Sequence, residues 1–127
     1  MKVALVVIAT VVQVLSFCNA YAHGDHRPKH GGIMGRGDDE ISVELVMEKG
    51  TATLYIEDES ATPISTEKVK GTLSVARQGR PAQEAKLVPA GDNKLKASGL
   101  TPVPGDRLRA RIILPGGEEF WPIFSFR

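Results

Sequence analysis

His23, His26 and His30 stand in the run Ala-His-Gly-Asp-His-Arg-Pro-Lys-His-Gly-Gly, residues 22–32, and are the only histidines of the 127-residue chain. Imidazole is the commonest protein ligand for zinc and copper, so this clustering points to transition-metal binding. The spacing is H-x-x-H-x-x-x-H. Pro28 and the Gly31-Gly32 pair disfavour a continuous helix, so the ligands must converge by folding of the chain. Three imidazoles, with Asp25 between the first two, suit tetrahedral zinc. Imidazole together with the thioether of Met34 favours copper(I). The expected ligands are therefore His23, His26 and His30, with Asp25 and Met34 as additions, for a copper or zinc ion. Imidazole binds metal only when deprotonated, so affinity should fall as pH drops. Against this stands a plainer alternative, in which the histidines belong to an unstructured linker with no metal role.

Residues 1–22 have the form of a secretory signal peptide. Lys2 supplies the positive start, Val3 to Leu15 is apolar except for Thr10 and Gln13, and Ala20-Tyr21-Ala22 is an A-x-A cleavage site. The apolar run is shorter than the roughly 20 residues of a membrane-spanning helix. Cleavage after Ala22 would make His23 the first residue, whose α-amine and imidazole chelate copper(II) together. Cleavage after Ala20 would begin the chain Tyr21-Ala22-His23, and a third-position histidine holds copper(II) or nickel(II) in a square plane. Leu15-Ser16-Phe17-Cys18 is a weak match to a lipobox, since Phe17 is large, and makes a lipoprotein anchored through Cys18 the minority reading.

Loss of Lys2 with the leader leaves 15 basic residues against 15 acidic ones. Balanced charge gives no reason to expect nucleic acid as a partner, and no stable membrane insertion is expected after cleavage. Cys18 is the only cysteine, so the exported product has neither a disulfide framework nor a thiolate metal site.

The elements that must position the histidines follow from periodicity. Residues 23–40 are polar and Gly-rich, and form a flexible or loosely draped arm. From Ile41 the pattern is β. Ile41, Val43, Leu45 and Met47 alternate with Ser42, Glu44, Val46 and Glu48; Lys49-Gly50 is a tight turn into Thr51 to Glu57. Asp58 to Thr66 is a loop, followed by a strand through Val69, Gly71, Leu73 and Val75. Ala85 to Val88 and Lys94 to Ala97 are short strands. Leu108, Ala110, Ile112 and Leu114 mark another, and Glu119 to Phe126 the last. About seven strands with turns every 8 to 12 residues predict a single all-β domain over 41–127. The expected fold is an antiparallel, immunoglobulin-like β-sandwich, with a small closed β-barrel as the alternative.

His-Gly-Asp-His-Arg-Pro-Lys-His-Gly-Gly, the Glu44-Leu45-Val46 strand, Leu54-Tyr55-Ile56-Glu57-Asp58 and Pro89-Ala90-Gly91-Asp92-Asn93-Lys94-Leu95 resemble a group of small exported proteobacterial proteins. Their mature regions start near an H-x-x-H-x-P-x-H-G-G motif. A similar motif lies near the N-termini of periplasmic adaptor subunits of heavy-metal efflux pumps. The resemblance implies a periplasmic, β-rich accessory of metal resistance that buffers metal or delivers it to an efflux system. An efflux adaptor or another envelope protein is the implied partner. Members of the group often carry Asp-His after the Leu-Tyr strand, where this chain has Asp58-Glu59; either carboxylate as a substitute ligand would tilt the preference from copper towards zinc.

Other features read as structure. Arg107, Arg109 and Arg111 form a basic stripe, expected to be solvated and offset by Glu44 and Glu48. Phe120, Phe124 and Phe126 share the core face of the last strand, and Trp121 should cover a core edge. With no nucleophile elbow and no phosphate-binding Gly loop after a strand, the chain is not expected to be an enzyme. The rival function is an envelope interaction module that binds through sheet edges or the arginine face, indifferent to chelators.

Overall fold

A computed structural model describes residues 26–127. The leader, both cleavage sites, Cys18, His23 and Asp25 lie outside the described residues. The alternating segments become strands: β1 (Ile33–Met34), β2 (Ile41–Glu48), β3 (Thr51–Asp58), β4 (Lys70–Ala76), β5 (Gln83–Pro89), β6 (Lys94–Ser98), β7 (Arg107–Ile113), β8 (Glu119–Phe120) and β9 (Ile123–Ser125). Every pairing is antiparallel, and the order is β1-β2-β3-β6-β5-β4-β7-β8, with β9 also on β7. Lys49 and Gly50 both take positive φ, 48° and 79°, as a two-residue type I′ hairpin requires. That turn pins Glu48 opposite Thr51 and so fixes the phase of β2 against β3.

Strands β2, β3 and β6 pair as A, B and E of an immunoglobulin-like sandwich do, and β4, β7 and β9 as C, F and G, with β5 bridging the two sheets. The expected immunoglobulin-like sandwich is thus present, but its two sheets are joined at both edges. At one edge β5 changes sheet: Gln83 to Leu87 pair with β4, whereas Val88 and Pro89 pair with β6. At the other, Arg36 and Ile123 exchange backbone hydrogen bonds of 2.9 Å in both directions, so the arm links β2 to β9. The result is a flattened, nearly closed barrel, intermediate between the sandwich and the barrel expected from the sequence. Closure leaves few unpaired strand edges on which other chains could pair.

The core is the sum of the inward-facing residues. Val43, Leu45, Leu54, Ile56, Leu73, Leu87, Leu95, Leu108, Ile112 and Phe124 are fully or almost fully buried. The last strand is interrupted where a single strand was expected. Phe120 faces Ile112 and Phe124 faces Leu108 in one continuous register, but Pro122 between them has no N–H to donate. Only the Ala110 N–H to Pro122 carbonyl bond remains there, at 3.0 Å. Trp121 is exposed, and its ring receives the Arg111 guanidinium at 5.4 Å instead of covering the core. Arg111 also pairs with Glu119 at 2.6 Å. Its counter-charge therefore comes from the neighbouring β8, not from Glu44.

Asp106 is buried at the start of β7, where the Arg77 guanidinium donates to both carboxylate oxygens at 2.9 and 2.8 Å and the Val103 N–H donates at 2.8 Å. The Arg77 bonds and then the Val103 bond hold its pKa down at about 2. A carboxyl depressed on folding stabilises the native state above its unfolded pKa, and that contribution disappears as pH falls through the folded value. Asp106→Asn should therefore be less stable than the parent at pH 6. The difference should shrink between pH 4 and pH 2, in the window set by that shift. Urea titrations across this range check it; a gap independent of pH would mean that the carboxylate charge is irrelevant.

Candidate metal centre

Antiparallel register places Met34 opposite Glu44, Glu44 opposite Tyr55, and Tyr55 opposite Lys94, in one row across β1, β2, β3 and β6. Leu45 and Leu54, one residue out of phase, point into the core, so this row faces outward. From His26 onward, the segment expected to form a flexible arm lies over this outer face. Its glycines serve close approach. A Cβ on Gly32 would overlap the Leu45 carbonyl oxygen and come within 2.9 Å of the Glu44 carboxylate. A Cβ on Gly35 would come within 3.0 Å of the Phe124 ring. Sequence reasoning took the Gly content as a sign of looseness; here it lets one backbone lie on another.

Glu44 is the anchor. Although its phase in β2 is outward, it is only 4% exposed, because the arm covers it. Its carboxylate accepts backbone N–H bonds from Lys29 at 2.9 Å, His30 at 2.9 Å and Gly32 at 2.8 Å, and a side-chain bond from His30 Nδ1 at 2.9 Å. Burial pushes its pKa upward, but the His30 side chain and the Lys29, Gly32 and His30 amides together outweigh that, and the net shift is downward. Lys29 Nζ grips Glu57, across β3, at 2.8 Å. His30 stacks flat on Tyr55, with ring centroids 3.7 Å apart and planes 7° apart.

These contacts decide which ring nitrogens are free. The ionised Glu44 can only accept, so His30 Nδ1 carries the proton and Nε2 of the neutral ring carries the lone pair. His26 Nε2 lies 3.0 Å from the backbone carbonyl of Glu59. A carbonyl also only accepts, so the His26 lone pair is on Nδ1. That atom is shielded from solvent and has no hydrogen-bond partner among the described residues. Both histidines thus have the anchored-imidazole arrangement of metal ligands, one N–H held by a carboxylate or carbonyl and the other nitrogen basic.

Met34, from β1, is half-buried and lines a recess together with His26, Arg27, Ser42, Glu44, Tyr55 and Glu57. His26, Met34 and Ser42 also line an adjoining depression beside Asp38 and Asp39. The structure therefore brings His26 and Met34 to one place and stacks His30 on Tyr55 nearby on the same face. Among the described residues no three His, Cys, Asp or Glu side chains form a group able to hold a metal ion. Asp58 Oδ1 accepts the Ser60 and Thr62 amides and shapes the loop. Glu59 contributes its carbonyl to His26. Glu44, Tyr55 and Glu57 were not singled out from sequence as parts of the site, because an outward phase on a strand does not reveal that another segment covers it. No protein-family model, curated protein or solved structure matches this chain.

Proposed function

We propose that this chain is an exported, periplasmic accessory protein that binds a transition-metal ion, copper or zinc, on its N-terminal histidine segment and buffers it or passes it to an efflux or resistance system. The observation that carries the reading is the state of the two described imidazoles. His26 and His30 each have one nitrogen tied to an acceptor, which orients the ring and leaves the other nitrogen basic. The same contacts dock the segment on the sheet, and the free nitrogens they leave are what metal binding would use. His23, with its α-amine if cleavage follows Ala22, and Asp25 are the further donors in this proposal. A site on a surface strip can exchange ligands with a partner protein, as delivery requires.

The test is native mass spectrometry of the tag-free exported protein with copper(I), copper(II), zinc and nickel, followed by affinity titration. The parent should take up copper or zinc in a defined stoichiometry, and the His23→Ala/His26→Ala/His30→Ala variant should lose it. Undiminished affinity in that variant would remove the proposal. Partner capture unaffected by chelator would favour the interaction module instead.

A further inference from the structure

We infer that His26 and Met34 form a soft-metal site selective for copper(I), with His26 Nδ1 and the Met34 thioether as the two protein ligands. This rests on the proposed metal-binding function and specifies its ion. His26, whose Nδ1 is solvent-shielded and unpartnered among the described residues, and Met34 line one recess, and both residues line the neighbouring depression as well. The inner recess holds about 10 Å³, close to the smallest space that accepts a single water. The outer depression, about 180 Å³, is the route of approach.

The donor types select the ion. A thioether is a soft, uncharged ligand suited to copper(I), which tolerates low coordination numbers; zinc and other harder dications want carboxylate, thiolate or several imidazoles. The carboxylates lining the inner recess are already engaged. Glu44 is saturated by His30 and three backbone amides, and Glu57 is held by Lys29 at 2.8 and 2.9 Å. Arg27 lines the same recess, so little unbalanced negative charge remains within it to favour a dication over a monocation, and Asp38 and Asp39 stand only beside the outer depression.

The test measures copper(I) affinity anaerobically by competition with bicinchoninate, and zinc affinity by competition with a chromophoric chelator, in the tag-free protein. Met34→Leu keeps the side chain's volume. It should lower copper(I) affinity about tenfold or more, since even losing a partner of a ligand costs that much. Zinc affinity should hardly change. Silver(I), a redox-inert soft ion, should shift the Met34 methyl resonance in the unaltered protein, a readout that survives any disturbance of β1 in the variant. Copper(I) affinity indifferent to Met34→Leu, with no silver-induced shift at Met34, would overturn the inference while zinc binding upheld the broader function. Binding of neither metal by the parent would overturn both.

Discussion

Glu44→Gln should weaken metal binding by about 10- to 100-fold and release the segment that carries the histidines. The carboxylate accepts four hydrogen bonds at 2.8–2.9 Å, three from the backbone of the arm and one from His30 Nδ1. A glutamine has one acceptor oxygen and an NH₂ group, which would point a donor at donors. Leaving buried amides unpaired costs about 1–3 kcal/mol each, so the arm escapes to water instead of paying this in place. The loss should appear in hydrogen exchange as reduced protection of the Lys29, His30 and Gly32 amides. β3 and β7 should stay protected, because the core beneath does not involve this carboxylate.

Gly32→Ala provides an independent route to the same state. Its Cβ would overlap the Leu45 carbonyl oxygen and come within 2.9 Å of the Glu44 carboxylate, displacing the arm while leaving the carboxyl group itself unaltered. The two variants should share one exchange pattern. If Glu44→Gln lost metal while the arm stayed protected, Glu44 would be acting on His30 alone. If it lost neither, the anchored imidazole would have no bearing on binding. The downward shift of the Glu44 pKa gives the sign of the pH effect on docking. Docking through Glu44 should persist at neutral pH and fail only as pH falls below the ordinary carboxylate range.

How much of this was legible in the residues varies with the kind of signal. The strands of the main sheets were readable because each alternates with a period of two and is bounded by turn residues; Lys49-Gly50 marked the tight turn between β2 and β3. Their immunoglobulin-like order was a matter of fold class, since periodicity cannot rank pairings. β1 was not readable. Two residues, Ile33 and Met34, give no period, and the surrounding glycines look like those of any loop. What makes them a strand is the open edge of β2, a tertiary fact. The same holds for Glu44. Alternation put it correctly on the outer face, but solvent exposure does not follow when fifteen residues of polar chain stand upstream to cover that face. The histidines were found by composition alone; their orientation depended on Glu44, Tyr55 and the Glu59 carbonyl, none of which advertises itself locally.

The corner where the arm meets β9 should be the most fragile part of the framework, and Phe124→Ala should expose this. Phe124 is fully buried, opposite Leu108, and its ring is what a side chain on Gly35 would strike. Truncating a buried phenylalanine costs about 3–5 kcal/mol through lost burial and the cavity left behind. Against a typical domain stability of about 5–15 kcal/mol, that is a large share. The loss should also have a direction. The ring supports the segment whose Arg36 exchanges two hydrogen bonds with Ile123, so protection at those two amides should fall further than in the β2–β3 hairpin. Space links the two positions. Gly35→Ala should be costly in the parent, where its Cβ would come within 3.0 Å of the ring and 2.9 Å of the Pro122 Cβ. It should cost less in the Phe124→Ala background, where the ring has gone. Urea denaturation of the parent, both single variants and the double variant gives the coupling directly. Strictly additive effects would mean that the arm does not rest on this ring. The barrel would then close through the Arg36–Ile123 hydrogen bonds and the Trp121 N–H bond to Asp38.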